Sequence, residues 1–172
     1  MAPHILVVGG TGMLSGLCKA LAEDGGRLSL LSRRASALGG FDCDYHDEAA
    51  FAAALKAAVD RSGPIDLAVA WFHTLKIPAP RRLAERVRGR MFQVLGSAAA
   101  DPGHPRRLET ARKVAEGLPD CAVRQVVLGF KVEDGRSRWL TNDEISAGVL
   151  AAIRADLTYS IIGQSEPWSA RP

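Results

Sequence analysis

The chain has 172 residues, a length typical of one domain. Its composition is 47% hydrophobic and 24% charged, which excludes a disordered chain and is close to that of an average soluble globular protein. The net charge of +3 is small and the arginines are spread along the chain, so no nucleic-acid partner is predicted.

Cysteine usage and the length of the apolar runs indicate a cellular location. Cys18, Cys43 and Cys121 show no CxxC spacing and fit buried free thiols in a reducing compartment. The first residues lack the pattern of a signal peptide, and no apolar run is long enough to span a bilayer. We therefore expect a cytoplasmic protein with no membrane partner.

The first half of the chain alternates apolar runs with helical patterns. Ile5–Val8 predicts a strand, and apolar residues recur at helical spacing after Gly9–Gly12. The further predicted elements are strands at 28–31 and 41–44, an alanine-rich helix from an Asp47 cap to about residue 61, and a strand at 65–72.

The second half continues the alternation. Its predicted elements are a basic helix around 80–90, a strand at 91–95, a helix at 108–118, a strand at 124–130, a polar loop at 131–139, a helix opened by the capping box Thr141–Glu144, and a strand at 157–162. The arginines of the basic helix are interpreted as a solvated face, with an anionic partner as the alternative. The order predicts an α/β fold: a doubly wound parallel sheet of about seven strands in one Rossmann-like domain, with a ligand crevice at the carboxyl ends of the strands.

A glycine-rich turn lies between the first strand and the first helix. Glycine allows a tight turn, close approach of the backbone to a pyrophosphate and close packing of the helix on the strand. The helix N-terminus offers unpaired N–H groups and a partial positive charge to the phosphates. The turn therefore predicts a dinucleotide site, and a purely structural turn is the alternative. The cofactor-binding residues predicted here are Gly9, Gly10, Thr11, Gly12, Met13 and Leu14.

The residues after the second and third strands indicate which dinucleotide is bound. Ser32, Arg33 and Arg34 stand where an NAD-selective protein usually has an acidic residue for the ribose 2′-OH. Arg33 can instead pair with a 2′-phosphate, so NADP(H) is predicted rather than NAD(H), although the arginines could be plain surface charges. Asp44 could accept a hydrogen bond from the adenine amino group or cap a turn, and Tyr45 completes the predicted cofactor set.

These motifs resemble those of the short-chain dehydrogenase/reductase family over most of the chain. The likeness is carried by the glycine turn, Cys43-Asp44, Gly96-Ser97 at the end of a strand, and the stretches 140–145 and 159–164. By this resemblance Ser97 matches the catalytic serine of the family. The Tyr-x-x-x-Lys pair of the family is absent, because Ala49 follows Tyr45 by four residues and Gly163 follows Tyr159 by four.

Three residues are therefore predicted to carry catalysis: His73, Ser97 and Lys113. His73 projects from the carboxyl end of a strand in place of the family's Asn-Ala-Gly, and imidazole exchanges protons near neutral pH. Lys113 follows Glu109 by four residues, so the two share a helix face at a crevice or form an exposed ion pair.

Other residues receive weaker predictions. Lys131, Arg138 and Trp139 could bind an acidic substrate or hold their loop, and Tyr159 is predicted to lie in the core. No histidine or cysteine spacing indicates a metal site.

The resemblance implies hydride transfer between NADPH and a small carbonyl or imine, with His73 or a water held by Ser97 supplying the proton. A catalytically inactive NADP(H)-binding sensor or interaction module is the main alternative, and a non-redox enzyme that holds NADP(H) structurally is another. The chain lacks the larger substrate-binding insertions of full-length relatives, so the substrate is expected to be a small molecule, or a second subunit of a homo-oligomer completes the pocket.

Overall fold

Nine strands and five α-helices make up the structure, a computed structural model that describes residues 1–172. The strands are β1 (His4–Val8), β2 (Arg27–Ser32), β3 (Phe41–Asp42), β4 (Ile65–Trp71), β5 (Val87–Leu95), β6 (Ala122–Leu128), β7 (Phe130–Glu133), β8 (Arg136–Trp139) and β9 (Tyr159–Ile162). The helices are α1 (Ser15–Glu23), α2 (Glu48–Ser62), α3 (Ala79–Ala84), α4 (Arg107–Arg112) and α5 (Asn142–Arg154).

Seven of the strands form one parallel sheet in the order β3-β2-β1-β4-β5-β6-β9. This confirms the predicted doubly wound sheet. The strand order reverses between β1 and β4, which are neighbours in the sheet although two helices and two strands separate them in the chain. A crevice is expected at that position, outside the carboxyl ends of the strands.

Helices cover both faces of the sheet. On one face, α1 and α5 pack over Ile5 and Val7 of β1, and on the other, α2 and α3 pack over Leu6 and Val8. Because successive side chains point to opposite faces, a strand covered on both faces is expected to be apolar, as Ile5–Val8 of β1 are. Each fully buried aliphatic side chain contributes roughly 1.5–3 kcal/mol.

The two predicted helix caps are present. Asp47 Oδ1 accepts a hydrogen bond from the Ala50 N–H at 3.0 Å and opens α2. At the start of α5, Thr141 Oγ1 accepts from the Glu144 N–H, and the Glu144 carboxylate accepts from the Thr141 N–H. By contrast, no side chain caps α1.

The prediction of a basic helix over residues 80–90 was wrong. Helix α3 ends at Ala84 and strand β5 begins at Val87, which is fully buried. A Cβ at Gly89 would collide with the backbone carbonyl of Asp66, so β4 and β5 approach closely where their register shifts. Pairing with β4, a long-range interaction, overrides the local helical pattern.

Residues 131–139 were predicted to form a loop, but they lie in the β7–β8 hairpin. Asp134 and Gly135 make its turn with φ of 51° and 74°. Arg138 binds the carboxylates of Glu133 and Glu144, and Lys131 Nζ lies 2.6 Å from Glu144 Oε1. The hydrogen bonds from Arg138, and to a smaller extent that from Lys131, hold the pKa of Glu144 well below its usual range. The hairpin is thereby tied to the start of α5.

The predicted helix at 108–118 is shorter than expected, and Tyr159 is not in the core. Helix α4 ends at Arg112 and a 3-10 turn follows. Tyr159 is 40% exposed because it begins β9, the edge strand of the sheet.

Two buried glutamines hold α4 against the sheet. The Gln93 amide donates to the Ala111 carbonyl at 2.8 Å, and the Gln125 amide donates to the Leu108 carbonyl at 2.9 Å. Gln125 also donates to Gln93 Oε1 at 3.2 Å. Since a buried carbonyl without a donor is costly, these amides fix the position of α4.

The prediction of buried free thiols is confirmed at Cys18, Cys43 and Cys121. Burial raises the pKa of the Cys43 thiol, and of the Cys121 thiol, to about 11. No helix combines the length and the apolar character that crossing a bilayer requires.

We predict that Gln125→Leu lowers the free energy of unfolding by about 1–3 kcal/mol, because the Leu108 carbonyl and Gln93 Oε1 lose their donor. Urea unfolding followed by circular dichroism measures the change. Gln164→Leu, which removes an exposed amide whose hydrogen bond to the Glu166 carbonyl water can replace, serves as the control and should change stability by less than about 0.5 kcal/mol. Equal unfolding midpoints for the two variants would contradict the anchoring role of Gln125.

Candidate functional site

A cavity of about 480 Å³ opens at the carboxyl ends of β1, β2 and β4, and it is called the first cavity here. It is lined by Gly9, Thr11, Gly12, Met13, Leu31, Ser32, Arg33, Arg34, Cys43, Asp44, Tyr45, His46, Trp71 and His73. The structure thus brings together all the predicted cofactor-binding residues except Gly10 and Leu14.

The turn that connects β1 to α1 forms one wall of the first cavity. Gly9 has a φ of 82°, which a residue with a side chain rarely adopts. None of the backbone N–H groups of residues 10–14 donates a hydrogen bond within the protein, and α1 has no side-chain cap. Three of these unpaired donors, at Thr11, Gly12 and Met13, belong to residues that line the first cavity, near the positive end of the helix dipole.

Gly10 and Leu14 lie behind this wall. A Cβ at Gly10 would lie 2.7 Å from Cys18 Sγ, so a glycine is needed there for α1 to pack on the sheet. Leu14 is fully buried in the core. The structure therefore does not bring these two residues to the first cavity.

The opposite wall of the first cavity is cationic. Arg33 and Arg34 are exposed, and neither guanidinium forms an ion pair with a carboxylate. Ser32 Oγ accepts hydrogen bonds from Thr11 Oγ1 at 3.1 Å and from the Arg34 N–H at 3.4 Å, which joins the end of β2 to the glycine turn. Asp44 Oδ1 accepts from the His46 N–H at 2.9 Å, so this carboxylate does cap a turn.

Trp71 and His73 stand at the end of β4. A Cβ at Gly9 would lie 3.6 Å from Trp71 Cβ, and one at Gly96 would lie 3.5 Å from Trp71 Cη2, so the indole extends from the end of β1 to the end of β5. The His73 ring packs edge-on against Trp71 with centroids 5.6 Å apart. The His73 N–H donates to Tyr45 Oη at 3.3 Å, and its imidazole has no hydrogen-bond partner in the protein.

A second cavity of about 790 Å³ lies on the other side of Trp71, between β4, β5 and α4. It is lined by Trp71, Phe72, His73, Thr74, Leu75, Lys76, Leu95, Gly96, Ala98, Ala99, His104, Pro105, Arg106, Arg107, Thr110, Ala111 and Val114. Trp71 and His73 belong to both cavities. The arrangement can place a ligand in each cavity with an imidazole between them.

Ser97 is 8% exposed and lines neither cavity, although its neighbours Gly96 and Ala98 line the second. Its Oγ accepts a hydrogen bond from Arg171 Nε at 2.8 Å. The Arg171 guanidinium lies 5.0 Å from the ring centroid of Trp168 and 5.2 Å from that of Trp139. Because a guanidinium only donates, the Ser97 hydroxyl keeps its own proton for another acceptor.

The structure does not bring Lys113 to either cavity. Lys113 Nζ lies 3.8 Å from Glu109 Oε1 and both side chains are exposed, so the pair is an exposed ion pair. Lys131 and Arg138 are bound to Glu144 and hold the β7–β8 hairpin. No group of three or more His, Cys, Asp or Glu side chains is placed to hold a metal ion.

Several residues of the site were not predicted. Lys76, Arg106, Thr110 and Arg171 reach the site only through tertiary packing. For two of them the sequence offers one signal: Lys76 and Arg106 follow the carboxyl ends of β4 and β5, the edge where ligands bind in such sheets.

Comparison with known proteins shows the same architecture. No protein-family model matches the chain, and no curated protein matches it in sequence. An apo SCOR enzyme from Clostridium thermocellum is 17% identical, with a TM-score of 0.73 over 98% of this chain and 94% of the other. A short-chain dehydrogenase/reductase from Serratia marcescens is 21% identical, with a TM-score of 0.65 over 92% and 94%.

A third similar structure is an alcohol dehydrogenase from Thermococcus sibiricus in complex with 5-hydroxy-NADP. It is 17% identical, with a TM-score of 0.67 over 94% of this chain and 95% of the other. The chain therefore has the fold of the short-chain dehydrogenases/reductases.

Proposed function

We propose that the protein is an NADP(H)-dependent reductase of the short-chain dehydrogenase/reductase type, acting on a small carbonyl or imine. The observation that carries the proposal is the run of unpaired N–H groups at residues 11–13, which line the first cavity before the uncapped start of α1. These groups face the phosphates of a bound dinucleotide in proteins with such a turn.

The charges of the first cavity favour NADP(H) over NAD(H). Arg33 and Arg34 carry no carboxylate partner and can form a charge-assisted fork with a 2′-phosphate. An NAD-selective site needs a free carboxylate for the 2′-OH instead. Asp42, which lies opposite Ser32 where β2 and β3 pair, is not free for this role. Its carboxylate already accepts hydrogen bonds from the Ser36 N–H and hydroxyl at 2.7 and 2.6 Å.

The chemistry requires a hydride donor and a proton donor. When bound, NADPH supplies a hydride to the carbonyl carbon and becomes NADP⁺, and the carbonyl becomes an alcohol once its oxygen takes a proton. The His73 imidazole, free of protein partners and shared by both cavities, supplies that proton. The Ser97 hydroxyl, oriented by Arg171, is the hydrogen-bond donor for the carbonyl oxygen.

We also propose a cellular location and partners for the protein. Buried free thiols fit a reducing compartment, so we place the protein in the cytoplasm. Its partner is a small-molecule substrate rather than nucleic acid or a membrane, and the small chain forms a homo-oligomer.

Fluorescence titration with NADPH and NADH tests cofactor binding. NADPH should bind more tightly than NADH, and Arg33→Asp should raise the Kd for NADPH about tenfold or more while changing that for NADH little, because the 2′-phosphate loses its cation. Arg136→Asp on the exposed hairpin is the control. Equal losses for both cofactors would refute the 2′-phosphate role, and failure to bind either cofactor would refute the proposal.

The glycine turn is tested by Gly12→Ala. A Cβ at Gly12 would meet no protein atom within 4 Å, so the free energy of unfolding should stay within about 0.5 kcal/mol of the wild type. The methyl group lies in the first cavity, where the phosphates approach the backbone, so the Kd for NADPH should rise about tenfold. Unchanged NADPH affinity would show that the ligand does not approach this turn.

The role of His73 is tested with a panel of small carbonyls and imines, monitored by the loss of NADPH absorbance. His73→Ala should lower kcat by roughly 10²- to 10⁴-fold and leave the Kd for NADPH unchanged, because only proton transfer is removed. Unchanged turnover would remove His73 from the mechanism. Tight NADPH binding by the wild type with no turnover on any compound would favour the sensor alternative.

A further inference from the structure

The second cavity combines apolar walls with a cationic lining. Its apolar side chains include Phe72, Leu75, Leu95 and Val114, and its charged or titratable side chains are Lys76, Arg106, Arg107, His73 and His104. No carboxylate is among the residues that line it. A cavity with charge of one sign raises the local concentration of ligands of the opposite sign.

One nearby carboxylate neutralises part of this charge. Asp101 Oδ2 accepts a hydrogen bond from His104 Nδ1 at 2.9 Å and lies 3.7 Å from Arg107 Nη1. Arg107 also donates to the Ala98 carbonyl at 2.8 Å. The hydrogen bond from His104 holds the pKa of Asp101 below its usual range, so this carboxylate stays ionised. Asp101 is therefore the counter-charge of Arg107 and the hydrogen-bond partner of His104.

Two cations of the lining remain without a counter-charge. The side chains of Lys76 and Arg106 are exposed and form no salt bridge or hydrogen bond in the protein. Lys76 follows β4 and Arg106 precedes α4, so the two lie on different walls of the same cavity. An anionic group that binds these cations would not have to displace a protein carboxylate.

We infer that the second cavity binds an anion with an apolar body, whose carboxylate or phosphate monoester group is held by Lys76 and Arg106. The cavity volume of about 790 Å³ suits a small organic molecule. Only the identity of the substrate rests on the proposed function: the substrate of the reductase is then an anionic carbonyl compound, with its reacting carbon near His73, which lines both cavities.

Isothermal titration calorimetry with three molecules of similar shape tests the inference. The probes are 3-phenylpropanoate, 2-phenylethyl phosphate and the neutral 3-phenylpropanamide. At least one anion should bind about tenfold more tightly than the amide, and the tighter anion identifies the head group. Equal affinity of the amide and both anions, or no binding of either anion, would overturn the inference.

The double variant Lys76→Gln/Arg106→Gln should lose the preference for the anion and keep the affinity for the amide. Lys19→Gln/Arg136→Gln removes the same charge from exposed positions outside both cavities and is the matched control. Equal anion affinity in the two double variants would overturn the assignment of Lys76 and Arg106, and circular dichroism verifies that both are folded.

NADPH titration of the same protein separates the two proposals. Anion binding without NADPH binding supports this inference while the proposed reductase fails. NADPH binding without anion binding overturns this inference and leaves the reductase standing.

Discussion

The reversal of strand order between β1 and β4 is the constraint on which the rest of the site depends. After β1 the chain enters α1 on one face of the sheet, and after β4 it enters α3 on the other. The two connections diverge, so the carboxyl ends of these strands stay uncovered. Trp71 fills part of that opening and divides it into two cavities, since its indole reaches from Gly9 to Gly96.

Most of the sheet could be predicted from the sequence because its strands are continuous apolar runs with helical patterns between them. Of the two segments that were predicted wrongly, one depends on a partner far away in the chain. The start of β5 carries arginines and is a strand only because β4 pairs with it. The β7–β8 hairpin joins residues that are close in the chain, and its signals were available in the sequence: β7 alternates apolar and polar residues, and Asp134-Gly135 is a hairpin-turn signal. Strand β8 has no such alternation, and the ion pair of Arg138 and Glu144 holds the hairpin.

In the candidate site, too, local motifs could be predicted and long-range contacts could not. The glycine turn and Arg33 could be predicted because each is a local motif whose position follows from the strand before it. Lys113 was misplaced with respect to the cavities because α4 is one and a half turns long and its position is set by the buried amides of Gln93 and Gln125. Arg171 could not be predicted, because its contact with Ser97 joins residues 74 positions apart in the chain.

The contact between Ser97 and Arg171 bears on how the proposed reaction proceeds without the tyrosine of the family. A tyrosine with a lowered pKa both polarises the carbonyl oxygen and gives it a proton. A serine hydroxyl is too weak an acid for the second task, but it donates a hydrogen bond well. Arg171 can only donate, so its bond to Ser97 Oγ directs the serine proton toward a different acceptor. In the proposed reaction the two tasks therefore fall to two residues: Ser97 polarises the oxygen, and His73, at the junction of the two cavities, protonates it.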